Sequence, residues 1–236
     1  MTSEILTISL GFVNCYLVKT NAGFILVDTG MRSGRADLEK ALANAGCQLG
    51  NLKLIVITHG DIDHTDNCVY LREKYQTRIA MHQNDASMVE NGAMRPKRKV
   101  KSPLLRLMHL VMRLFGGMDK MVAAFDRFKP DFYLDEGQNL MEYGFDATVL
   151  HLPGHTKGSI AILTSTGNLI SGDTLENRGS LHPALIVDNE AELAASVDRL
   201  AQLGIKTVYP GHGKPFTWEQ FVEHFLKKNR ADIGRK

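Results

Sequence analysis

THGDIDHTDN, residues 58–67, follows the apolar run LKLIVI (52–57) and sets Asp61, Asp63, Asp66, His59 and His64 within ten positions. Carboxylates this close repel one another unless solvent or a cation separates them. The stretch is therefore either a hydrated loop at the end of a buried strand or half of a metal site. Which one it is depends on what the rest of the chain offers.

Three other places repeat the arrangement of an apolar strand running into a turn that holds His or Asp. They are TVLHLPGH ending at His155, NLISGD ending at Asp173 and KTVYPGH ending at His212. Ligands of layered α/β folds collect where strands end and loops begin. Convergence of the four endings supplies His59, Asp61, Asp63, His64, His155, Asp173 and His212. Seven ligands exceed what one tetrahedral ion takes and suit two ions sharing a carboxylate.

The remaining sequence frames these endings. ILTISL, NCYLVKT and FILVDTG read as strands, and residues 34–46 carry helical apolar spacing closed by Gly46. LKLIVIT reads as a strand buried on both faces, NCVYLREKY as a helix and TRIAMHQ as a strand. Strand patterns return in LMEYGFDATVLHL, SIAILTS and GNLISGD. A helix follows, AELAASVDRLAQLG, with Asn189 or Asp188 as its N-cap. KTVYP and a terminal helix over 217–228 close the chain. The rhythm is that of an α/β layered fold, and 236 residues of ordinary composition suit a single domain over 1–236.

Residues 92–130 interrupt it. Arg95, Lys97, Arg98, Lys99 and Lys101 precede Leu104, Leu107, Met108, Val111, Met112 and Phe115 at helical spacing. This insertion reads as a solvated basic run, as a lid or dimer contact, or as a surface resting on anionic membrane. The lid is preferred, because lids interrupt sheets near active sites. No stretch reaches the roughly 20 apolar residues that cross a bilayer. The start shows no signal-peptide pattern, and Cys15, Cys47 and Cys68 match no zinc or redox spacing. A cytoplasmic protein with reduced, buried thiols is expected. The net charge of +2 names no partner, and the basic cluster is too short for nucleic acid.

HGDIDH, PGHTKGS, SGDTL and PGHGKP, in this order and with these glycines, resemble the ligand motifs of the metallo-β-lactamase superfamily; NCYLV and LVDTG add to the likeness. The resemblance implies an αββα sandwich with a dinuclear centre at one edge. It assigns His59, residue 61 and His155 to one metal and Asp63, His64 and His212 to the other. Asp173 bridges them, and Asp28 lies behind the ligands as a hydrogen-bonding organiser. One position departs from the family: its commonest motif has a second histidine where this chain has Asp61. Flavodiiron proteins of the same superfamily carry Glu there. The extra carboxylate cancels one more positive charge, so iron or manganese become alternatives to zinc, and bound water should be acidified less than is usual.

The resemblance implies hydrolysis of an ester-type bond, a lactone or thioester slightly preferred, by a hydroxide bridging two divalent ions, zinc first. Asp63 orients the nucleophile or takes its proton. An iron-dependent oxidoreductase and a non-catalytic metal-stabilised binding module are the alternatives. A small-molecule substrate and a homodimer are the expected partners. His82, His109, His151, His182 and His224 are expected outside the centre, with His182 alone within reach of substrate.

Overall fold

The computed structural model describes residues 4–92 and 98–233. Its strands are β1 (Glu4–Leu10), β2 (Val13–Thr20), β3 (Gly23–Val27), β4 (Leu52–Val56), β5 (Arg78–Met81), β6 (Lys99–Val100), β7 (Phe132–Tyr133), β8 (Ala147–His151), β9 (Ile160–Thr164), β10 (Asn168–Gly172), β11 (Leu175–Asn177), β12 (Leu181–Pro183), β13 (Ile186–Val187), β14 (Thr207–Pro210) and β15 (Phe216–Thr217). Its helices are α1 (Arg35–Asn44), α2 (Ile62–Thr65), α3 (Cys68–Tyr75), α4 (Ala86–Asn91), α5 (Pro103–Leu114), α6 (Gly117–Ala124), α7 (Glu190–Leu200) and α8 (Trp218–Ile233). Strands order as β1-β2-β3-β4-β5-β7 in one sheet and β15-β14-β10-β9-β8 in the other.

Alternation along the strands builds the layers. In β3, Ile25 and Val27 join Val56 of β4, Val149 of β8 and Ile160 and Ile162 of β9 in the core between the sheets. Phe24 and Leu26 point the other way, onto Leu38 and Leu42 of α1 and Leu71 of α3. On the far side, Ala161 and Leu169 meet Leu200 of α7 and Phe221 of α8. Strands buried on both faces read as continuous apolar runs, as LKLIVI does. The result is the αββα sandwich expected from the sequence.

Strand direction places the loops that carry the candidate ligands. β3, β4 and β5 run parallel, and β10 runs parallel to β14. β8 is antiparallel to β9, and β9 to β10, so β8, β10 and β14 point the same way. The loops at 152–158, 172–174 and 211–213 therefore leave one edge of the second sheet. Across the sandwich, Tyr16 Oη and Asn14 Nδ2 donate to Pro210 O at 2.6 and 3.0 Å, and Ile160 N donates to Thr58 O at 2.8 Å. These bonds hold the end of β4 beside the other three loops, and they give NCYLV its structural role.

Asn189, rather than Asp188, caps α7: its Oδ1 accepts from Ala191 N and Glu192 N at 3.0 and 3.3 Å. Within 92–130, β6 pairs with β13, and Ser102 Oγ caps α5 with Pro103 in its first turn. α5 has no buried residue, whereas Phe125 and Phe128 after α6 return to the core. Of the basic run, Arg95 and Lys97 lie outside the described residues. Cys15, Cys47 and Cys68 are buried free thiols. No helix among the described residues is long and apolar enough to cross a membrane.

Candidate metal centre

Each of the four histidines is held by its Nδ1. His155 Nδ1 lies 2.7 Å from Ile186 O and His212 Nδ1 2.5 Å from Phe12 O, and a carbonyl can only accept, so both nitrogens carry the proton. His64 Nδ1 lies 2.8 Å from Asp28 Oδ2 and donates likewise. Thr58 Oγ1 gives its one proton to Asp28 Oδ2 at 2.8 Å and must accept from His59 Nδ1 at 3.0 Å. The neutral tautomer of every ring thus presents an Nε2 lone pair inward.

Asp28 holds this arrangement from a left-handed backbone, φ 61°, which Asp tolerates better than most residues. Thr58 N donates to its Oδ1 at 2.8 Å, so one carboxylate fixes both His64 and the start of the His59 loop. Gly211 must be glycine: a Cβ there would stand 2.2 Å from Asp173 Oδ1.

The seven side chains come together. His59, His155 and Asp173 offer atoms within 4.8 Å of one another, and so do Asp63, His64 and His212. Asp173 lies between the sets, with carboxylate oxygens 4.0 Å from His59 Nε2, 3.8 Å from His155, 3.3 Å from His64 and 3.1 Å from His212. Asp63 Oδ2 is 3.4 Å from His212 Nε2 and 3.9 Å from His64 Nε2. Buried His59 Nε2, His64 Nε2, His212 Nε2 and Asp173 Oδ1 have no hydrogen-bond partner. Orphaned buried acceptors are costly, and four aimed into one volume of imidazole and carboxylate donors fit divalent cations.

Electrostatics agree with that fit. Burial by itself would lower the basicity of His212, but the Asp173 and Asp63 carboxylates outweigh it and raise its pKa to about 10. His64 and His155 are raised against burial in the same way, His64 chiefly by Asp173 and Asp28 and His155 by Asp61 and Asp173. Burial opposes ionisation of Asp173, yet His212 and His64 hold it well below the usual carboxylate range. Without a cation, the acidic groups draw protons onto the histidines; a bound cation takes the place of those protons.

Asp61 has a partner that the sequence did not disclose. Its Oδ2 lies 3.1 Å from His155 Nε2 and 3.4 Å from His59 Nε2, so it is in the centre. Arg98 grips it from behind: Nη1 to Oδ2 is 2.6 Å and Nη2 to Oδ1 is 2.8 Å, while Nε lies 3.1 Å from Asp188 Oδ1. The Arg98 side chain is only 9 % exposed, which corrects the reading of this residue as part of a solvated run. Despite burial, Arg98 keeps the Asp61 carboxyl well below its usual range.

A further aspartate escaped the sequence reading altogether. Asp85, fully buried before α4, accepts from Gly60 N at 3.0 Å, Thr156 Oγ1 at 2.6 Å and Gly158 N at 2.8 Å. It ties the His59 loop to the His155 loop. The one local signal is Gly158, where a Cβ would stand 2.6 Å from the Asp85 carboxyl carbon. His82 and His151 stack on each other at 4.0 Å, outside the two sets, and His182 Nδ1 lies 3.0 Å from Pro183 O.

Known proteins share this architecture. The probable metallo-hydrolase YqjP of Bacillus subtilis is 26% identical over 238 residues, 94% of this chain and 74% of its own length. The crystal structure of TTHA1623 in a di-iron-bound form superposes with a TM-score of 0.66 at 26% identity, covering 94% of this chain and 98% of that one. A metallo-beta-lactamase family protein from Thermus thermophilus, TTHA1429, superposes with a TM-score of 0.72 at 23% identity over 99% of this chain and 80% of its own. The family model of the metallo-beta-lactamase superfamily matches residues 8–212, a span that opens in β1 and closes on His212. With four converging loops that carry the candidate ligands inside that span, the chain belongs to the metallo-beta-lactamase superfamily.

Proposed function

We propose that this chain is a hydrolase that uses two divalent ions to cleave an ester-type bond, with a lactone or thioester as the preferred class. The observation that carries the reading is the set of four imidazoles whose Nε2 lone pairs face one volume shared with Asp63 and Asp173. His59, His155 and Asp173 would hold one ion, with Asp61 beside them; Asp63, His64 and His212 would hold the other. Divalent ions held there polarise a substrate carbonyl and lower the pKa of water toward neutrality.

The chain's own groups complete the chemistry. Asp63 is the most exposed of the three carboxylates, 27 % against 18 % for Asp61 and 5 % for Asp173. With Oδ2 turned toward His212 and His64, its Oδ1 is the atom to take a proton from the nucleophile and return one to the leaving group. Arg98 adds the positive charge that Asp61 removes, which supports a bound water acidified as usual and zinc as the first choice of metal. The apolar α5, rooted five residues after Arg98, supports a substrate with a hydrophobic portion. Three buried free thiols support a reducing, cytoplasmic setting.

A second reading, iron-dependent redox chemistry, has support in the Asp61 carboxylate beside His59 and His155 and in the di-iron form of TTHA1623. Metal analysis after expression with zinc, iron and manganese in competition, followed by lactone, thioester, phosphodiester and β-lactam panels, separates the two. Turnover of an ester abolished by chelation and by Asp63→Asn is expected. Full turnover by metal-free protein refutes the hydrolytic reading; iron with oxidase or reductase activity and no ester turnover replaces it.

A further inference from the structure

We propose that α5 is an interfacial helix that docks this protein on anionic lipid bilayers, its outward apolar face set into the headgroup–acyl boundary. Leu104, Leu107, Met108, Val111, Leu114 and Phe115 are exposed by 44–78 %. Together with Leu110, they make up seven of the eleven large exposed hydrophobics among the described residues. At about 100° per residue they cover an arc of roughly 160°. The narrower opposite face, Leu105, His109 and Met112, is half-buried. Arg106 and Arg113 lie between the two faces, at one edge of the apolar arc.

Several observations choose a lipid surface over other occupants. From Gly92 through Met118 the sequence holds seven Lys and Arg residues and no Asp or Glu. Arg98 is neutralised by Asp61 and Lys99 pairs with Glu190, while Arg106 and Arg113 on α5 have no acid on their own helix. An isologous pairing with a second copy would bring two all-cationic helices together with no acid between them. A membrane rich in anionic lipid supplies the missing charge, and an apolar face edged with arginine is what such an interface binds. Twelve residues span about 18 Å, too short to cross a bilayer, so the helix lies on it. Isolated helices of this length are marginal in water, and α5 buries no residue of its own. A membrane would supply the apolar contact that the fold withholds.

The helix is rooted at the metal centre. β6 pairs with β13, whose Ile186 O holds His155, and Arg98 holds Asp61. Pro103 stands at most about 18 Å along the chain from Arg98. Docking through α5 would therefore set the centre near the headgroups, where acyl compounds partition.

The test is sedimentation of the metal-loaded full chain with vesicles of phosphatidylcholine and of an equimolar phosphatidylcholine–phosphatidylglycerol mixture. Binding to the anionic vesicles, weakened by salt, and none to the neutral ones is expected. Arg113→Gln should weaken it about fivefold. Leu107→Ser with Leu114→Ser should weaken it by about tenfold or more, while thermal melting stays unchanged because both positions are exposed. Equal binding to both vesicle types, no binding, or binding untouched by these variants overturns the proposal. A monomer–dimer equilibrium abolished by the double leucine variant, with no vesicle binding, assigns the face to a second copy instead.

Discussion

Replacing Arg98 with Met removes the guanidinium charge and keeps most of the stem. Arg98 makes two short bonds to Asp61, at 2.6 and 2.8 Å, from a side chain 9 % exposed. Removing one partner of a buried ion pair costs about 3–5 kcal/mol, chiefly because the other charge is left unpaired. Asp61 retains 18 % exposure and keeps the His155 imidazolium at 3.1 Å, so the lower end applies, about 3 kcal/mol. In a chain of this size that is a fall of about 6–12 °C in the melting temperature of the metal-free protein. A bound divalent ion gives Asp61 a cation again, so the loaded protein should lose only about 1 kcal/mol, the worth of an ion pair whose loss leaves no charge unpaired. Closing the thermodynamic cycle, the difference of about 2 kcal/mol appears as metal affinity raised about 30-fold. Differential scanning fluorimetry with and without zinc, paired with competition against a chromophoric chelator, measures both quantities. An equal fall in both forms, or weaker metal binding in the variant, refutes Arg98 as counter-charge and makes it a rigid support for a ligating Asp61.

Further outcomes follow from the same contacts. Asp28→Asn suits the left-handed backbone but weakens acceptance from His64 Nδ1, and should lower metal affinity about 10–100-fold; unchanged affinity in the chelator competition would dismiss its role. Asp85→Ala strands three buried donors and should cost at least about 3 kcal/mol in urea unfolding, with a loss below 1 kcal/mol counting against it as the tie between the loops. His212 is raised to about 10 in the metal-free centre against an ordinary value of 6.5. Its contribution to metal-free stability is therefore complete below about pH 6.5 and is lost as pH rises through 10. Since ligation requires the neutral ring, metal binding near pH 7.5 should release protons, and calorimetry in buffers of different ionisation enthalpy should show it. Buffer-independent heats would contradict that sign.

Local pattern made much of this protein legible. Periodicity and turn residues mark the strands that end at His59, His155, Asp173 and His212, because a buried strand and a tight loop each leave a short-range signature. The helix cap at Asn189 and the buried thiols were within reach of the same reasoning.

Tertiary structure decided the rest. Nothing in the run before β6 distinguishes Arg98 from its solvated neighbours; the partner that fixes it, Asp61, lies 37 residues away. Asp85 ends a single 3-10 turn of ordinary composition before α4 and gains its meaning from donors at Gly60, Thr156 and Gly158. Helical spacing showed that α5 has an apolar face but not whether that face turns inward or to the surface. A sequence encodes which residues share a strand or a helix face, since that depends on near neighbours. Which opposite charge or apolar layer meets them is set by distant parts of the chain, and only the folded packing decides it.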